Sequence, residues 1–122
     1  MLTAAVALAA GLGSVCRYVL DHAIKRNYPG PFPHATFVVN LTGSLILGFV
    51  TGMALHHGWA HTTSLVLGAG FAGGYTTWST LMWESVALVE TKAIGMALAN
   101  LGLSIATGLG MAALGLGLAQ LG

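Results

Sequence analysis

Charge is what this sequence has least of: four Lys or Arg and three Asp or Glu in 122 residues. A soluble globule of this length would lack polar cover. The scattered basic residues make no patch for nucleic acid, so no nucleic-acid partner is implied. Cysteine is almost absent, and the lone Cys16 excludes an internal disulfide. The only prolines are Pro29, Pro31 and Pro33, all in one short stretch. The sequence also lacks a nucleophile–base constellation and a phosphate-binding loop, so no enzyme is expected. His57 and His61 stand four apart but without further ligands nearby, and they read as a solvated turn rather than a metal site.

What is present is apolar: 56% of the residues are hydrophobic. Charges and prolines divide the chain into four apolar stretches, about residues 2–20, 35–55, 63–89 and 93–121, each near or above the roughly 20 residues a helix needs to cross hydrocarbon. The fold expected is an all-α membrane protein, four tightly packed transmembrane helices in a single domain over residues 1–122, in the cell membrane. The first stretch is not expected to be a signal peptide, because no Lys or Arg precedes its apolar run.

The connection over residues 21–34 holds Lys25, Arg26 and the prolines, and is expected to lie along the membrane interface. The link at Glu90 to Lys92 is tight and predicts antiparallel neighbours. Most of the eighteen glycines fall inside the apolar stretches, where small residues let helix backbones approach closely; Gly48 with Gly52, and Gly70 with Gly74, have the matching spacing. Alternating spans would put Lys25, Arg26 and Lys92 on one side. Positive-inside reasoning then puts both termini outside.

Polar side chains inside the apolar stretches are few. Asn40 and Ser44 share a face of the second helix, and Asn100 and Ser104 share one on the fourth. On the third, Thr77, Thr80 and Glu84 fall on one face, with Trp78 and Leu81 as an adjacent stripe and Ser79 pointing elsewhere. Such OH and NH groups suit a small anion that exchanges water hydrogen bonds for protein ones. Each taken alone also fits a helix-pairing role. The adjacent glycines and threonines of residues 73–80 predict a break in the third helix, and the carbonyls freed there need a partner.

The segment Gly70-Phe71-Ala72-Gly73-Gly74-Tyr75-Thr76-Thr77-Trp78-Ser79-Thr80-Leu81 resembles the signature of the CrcB/Fluc fluoride channels, a Gly-Gly-x-Thr-Thr-Phe-Ser-Thr-Phe pattern. Residues 11–18, ending in Arg17-Tyr18, look like that family's first-helix motif, and residues 36–48, with Asn40 and Ser44, look like its second. The resemblance covers essentially the whole chain in order. It implies an antiparallel dimer, with either an identical chain or an oppositely oriented homologue, and two narrow fluoride pathways through the lipid membrane. It also implies a structural sodium ion (Na+) at the dimer centre, held by the carbonyls of Gly73 and Thr76. Matched by position, the pathway residues are Asn40, Trp78, Ser79, Thr80, Leu81 and Glu84. Glu84 is expected near a mouth, and Arg17 near the opposite end of the fold. The physiological role implied is fluoride resistance by passive export.

The sequence departs from the pattern where the family has two phenylalanines: here they are Trp78 and Leu81. An indole keeps a positive ring edge and a donor, whereas leucine offers neither. A pathway lined by both is expected to be altered. Together with the one-sided charge, this favours pairing with a differently biased homologue. The nearest rival by size, a four-helix multidrug-type transporter, would need a carboxylate in the first helix. A haem-carrying, non-transporting subunit would need histidines at membrane depth. Neither is present.

Overall fold

The computed structural model describes residues 1–121, all of them in helices and the links between them. Helix α1 spans Leu2–Asn27 and α2 spans His34–His57. Next comes a composite third span, made of α3 (His61–Ser64), a π-helical stretch (Leu65–Ala72), α4 (Gly73–Tyr75) and α5 (Ser79–Glu90). Helix α6 covers Ile94–Leu121. Among the described residues, only α1, α2 and α6 are single helices long and apolar enough to cross a membrane.

Helix α1 runs about two turns beyond the apolar stretch that the sequence marks off. No proline or glycine stops it before Pro29, and polar residues are no obstacle once a helix has left the hydrocarbon. Asp21 and Lys25, one turn apart, form an ion pair at 3.1 Å on this extension. Arg17 therefore lies ten residues before the end of α1, about 15 Å at 1.5 Å per residue.

Glycine pairs set how the spans pack. A Cβ on Gly74 would fall on the carbonyl of Ala10, and one on Gly70 would meet Val6 and Ala9. On the other side, Gly48 abuts Ala112 and Gly52 abuts Ala119. Sequence numbers rise together in both sets, so α1 lies parallel to the third span and α2 parallel to α6. The link after α5 reverses the chain within three residues, and Ser85 and Asn100, placed symmetrically about it, meet at 2.9 Å. Lys92 occupies the left-handed region at φ 64 to make that reversal. Lys25, Arg26 and Lys92 consequently share one end of the molecule, and the His56 to His61 turn lies at the other. There His57 Nε2 donates to the Ala119 carbonyl at 2.6 Å and ties the ends of α2 and α6.

Not every helical glycine is used in this way. Gly95, Gly102, Gly110 and Gly117 on α6, and Gly11 on α1, have nothing within 4 Å of where a side chain would sit. Large apolar side chains such as Leu8, Leu12, Val15 and Val19 are exposed along α1, as expected where the solvent is lipid.

Alanine at Gly74 should lower stability by about 1–3 kcal/mol through overpacking. Alanine at the open Gly102 should leave it unchanged or raise it by up to about 1 kcal/mol. Denaturant unfolding of the two variants in the same micelle checks this.

Candidate functional site

The third span changes course between Tyr75 and Ser79. Thr76 is extended, at φ −82 and ψ 162, before helix resumes at Ser79. The cause lies on α2. Asn40 donates from Nδ2 to the Thr77 carbonyl at 2.8 Å, and its Oδ1 accepts from the Thr77 N–H at 2.8 Å. In an unbroken helix that N–H would close onto the Gly73 carbonyl. Asn40 takes it, which releases the Gly73 oxygen from its helical bond. The Thr77 hydroxyl in turn accepts from the Thr80 N–H at 3.2 Å and caps the start of α5.

Neighbouring side chains hold the rest of the opened turn. Ser14 donates to the Gly74 carbonyl at 3.2 Å, and Arg17 reaches the Thr76 carbonyl with Nη1 at 3.5 Å. The Thr76 hydroxyl folds back onto the Ala72 carbonyl at 2.8 Å. Buried Tyr75 shares a 2.8 Å hydrogen bond with Thr42 on α2 and stacks on Phe71. The backbone groups of an interrupted helix must be satisfied inside a membrane, and here α1 and α2 satisfy them from two sides.

An open groove of about 520 Å³ runs between α2, the third span and α6. Asn40, Gly73, Thr76, Trp78 and Leu81 all border it, along with Ser44 and Ser104. Ser79 and Thr80 do not. Ser79 is exposed, and the Thr80 hydroxyl accepts from the Thr77 hydroxyl at 3.1 Å. Thr77 belongs to the interruption rather than to α5, yet its hydroxyl still meets that of Thr80, with Glu84 one turn further along α5. Trp78 and Leu81 both border the groove but at different depths: Trp78 is 63% exposed, whereas Leu81 is 3% exposed and packed inward. The reason is that Trp78 precedes the first turn of α5, while Leu81 sits on its buried face.

Glu84 borders a separate cavity of about 480 Å³, roofed by the proline-rich link and by Lys25, Tyr28 and His34. One of its carboxylate oxygens is buried without a hydrogen-bond partner among the described residues, and so is the Ser104 hydroxyl. Arg17 does not lie at the far end of the fold from Glu84. Its guanidinium is at the interruption itself, because α1 and the third span are parallel and in register there.

The sequence reading passed over Ser14 and the Thr42–Tyr75 pair. Ser14 stands three residues before Arg17, a spacing that puts both on the face of α1 toward the third span. Nothing in the sequence pairs Thr42 with Tyr75. Among the described residues no cluster of three or more His, Cys, Asp or Glu could hold a metal.

These features define a multi-pass helical membrane protein whose third span is opened around a small polar cluster beside a groove. Residues 4–116 match the family described as CrcB-like protein, Camphor Resistance (CrcB). The chain is similar to the fluoride-specific ion channel FluC 1 of Leifsonia xyli subsp. xyli, with 44% identity over 122 residues, 100% of this chain and 84% of the relative. It is also similar to FluC 2 of Mycolicibacterium paratuberculosis, with 45% identity over 116 residues, 95% and 92% of the two chains. FluC 2 of Mycobacterium tuberculosis H37Rv is 41% identical over 116 residues, 95% and 89%. The chain belongs to the CrcB family.

Replacing Asn40 with leucine should lower stability by about 2–4 kcal/mol, because two backbone groups at the interruption lose their partners. Aspartate, which keeps the acceptor for the Thr77 N–H and loses the donor, should fall between leucine and the native residue. Thermal melts in one detergent order the three proteins.

Proposed function

We propose that this chain is a fluoride-selective passive channel that lowers cytoplasmic fluoride. The observation that carries this reading is the groove itself. It is bordered by the hydroxyls and amide of Ser44, Ser104, Thr76, Thr77 and Asn40, and no Lys or Arg borders it. A small anion with a tightly held hydration shell can cross hydrocarbon only if OH and NH groups replace its water. A full positive charge at the same place would trap it. The relatives at 41–45% identity carry the name fluoride-specific ion channel, and this chain keeps the glycines, threonines and serine of the motif on which that resemblance rests, with Trp78 and Leu81 in place of its two phenylalanines.

Conduction needs no energy coupling and no covalent chemistry. Hydrogen fluoride enters a cell as a neutral acid and dissociates inside, and the inside-negative potential then drives the anion out. On this reading fluoride leaves the groove along the seam of α5 and α6, past Thr80, toward the cavity that Glu84 borders. Trp78 and Leu81 border the groove, the first an aromatic side chain with an N–H donor and the second an apolar one.

The groove is open along one side, which fits an assembly of two chains in opposite orientation, each covering the other. The basic residues Lys25, Arg26 and Lys92 share one end, which favours one fixed orientation for this chain. The relatives' names are numbered 1 and 2, in keeping with a partner that is a homologue rather than a second copy. A sodium ion at the centre of such a pair fits the donor set. The Gly73 oxygen has lost its helical bond to Asn40's intervention, and the Thr76 oxygen keeps a lone pair beside the one facing Arg17. Gly73 and Thr76 would hold the ion, and two chains would together supply four oxygens. A bound sodium would add positive charge that offsets the exposed carbonyl dipoles.

Liposomes carrying this chain, followed with a fluoride electrode, should release fluoride far faster than chloride, either alone or with the homologue from the same source. Equal rates for the two anions, or no flux in both preparations, would remove the reading. Replacing sodium with a large organic cation should lower the melting temperature of the purified assembly, and sodium should restore it. Tags on the two termini should both report from the outer side.

A further inference from the structure

The buried face of α5 consists of Leu81, Ser85 and Leu88. Across from it on α6 lies Asn100, with an exposure of 0%. Asn100 donates from Nδ2 to the Ser85 hydroxyl at 2.9 Å, and that hydroxyl donates to the Leu81 carbonyl at 2.8 Å. The other half of the amide is left over. Asn100 Oδ1 is buried and has no partner among the described residues.

The position of this pair gives the orphan oxygen its meaning. Leu81 and Ser104, one turn from Ser85 and Asn100 respectively, border the groove, whereas Leu88 borders the Glu84 cavity. The Ser85–Asn100 pair therefore stands in the wall between the two cavities. A carboxamide fills the same volume when turned by half a turn. In the turned form the Ser85 hydroxyl donates to Asn100 Oδ1, and both amide N–H groups point where the orphan oxygen had been. Water or a cation at that place favours the first form. A small anion favours the second, because it pairs two donors that are otherwise unmatched.

We infer that Asn100 is an anion donor in the wall between the cavities, its amide turning over as the anion passes. The inference rests on the fluoride reading and deepens it. It gives the chain a recognition element on α6, set by the hydrogen-bond valence of one amide rather than by charge. Ser85 is the positioning residue that holds either form.

The test follows the side-chain amide of Asn100 by 15N–1H NMR in the conducting assembly during titration with fluoride, with chloride as the control. A saturable shift with fluoride alone is expected. In liposomes, Asn100→Leu, which keeps about the same volume and removes the donors without adding charge, should lower fluoride efflux by about tenfold or more. Ser85→Ala, which removes the tie and keeps the amide, should lower it less. A merely structural tie predicts equal losses for the two variants. The inference is overturned by an Asn100 amide that fluoride does not move, by equal losses, or by Asn100→Leu efflux within about twofold of the native rate. If the leucine variant does not fold, the NMR titration decides. Native protein that neither conducts nor shifts removes the fluoride reading as a whole, whereas flux with an unmoved Asn100 removes this inference alone.

Discussion

One side chain decides the course of the third span. Asn40 offers the backbone of Thr77 the same donor and acceptor that a helix would offer, but from the side. Once Thr77 has turned to α2, the turn behind it loses a closing hydrogen bond and the turn ahead has to be capped afresh. The Thr77 hydroxyl provides that cap. An asparagine in hydrocarbon is costly unless its amide is matched at both ends, and an interrupted helix is costly unless its peptide groups are matched. Each is the other's remedy.

That exchange needs α2, α1 and the third span held at backbone distance, which is the work of the glycines. Gly74 lies against the Ala10 backbone, Gly13 against Phe71 and Tyr75, and Gly43 against the Thr76 side chain. A side chain at any of these positions would lift a neighbouring helix away from the interruption. Polar chemistry and close packing are therefore one design here. Shortening the distance between helices is what lets Ser14 and Arg17 reach carbonyls on another span.

Much of this was legible in the sequence. Long apolar stretches between sparse charges gave the spans, and glycines at four-residue spacing marked two of the packed faces. The polar track was harder to read. Helical spacing placed Thr77 with Thr80, and the two do meet, but through a cap at the start of α5 rather than along one continuous helix. Trp78 and Leu81 share the groove, though spacing alone did not tell that one is exposed and the other buried. The extension of α1 to Asn27 was missed because hydropathy reports where lipid ends, not where hydrogen bonding does. The Thr42–Tyr75 and Ser85–Asn100 pairs join residues from different helices, and no periodicity within a single helix encodes them. They follow only from knowing which helices are neighbours.

The parallel pairing of α1 with the third span, and of α2 with α6, also bears on how the molecule is made. Neither pair consists of consecutive segments, so neither α1 nor α2 finds its closest partner in the segment that follows it. The face of α2 that carries Gly48 and Gly52 stays uncovered until α6 is synthesised, because its counterpart residues, Ala112 and Ala119, belong to that helix. Closure of that pair is thus postponed until α6 has entered the bilayer, and a chain without α6 presents a glycine-lined surface on α2 to the lipid, open to any other helix with a complementary row of small residues.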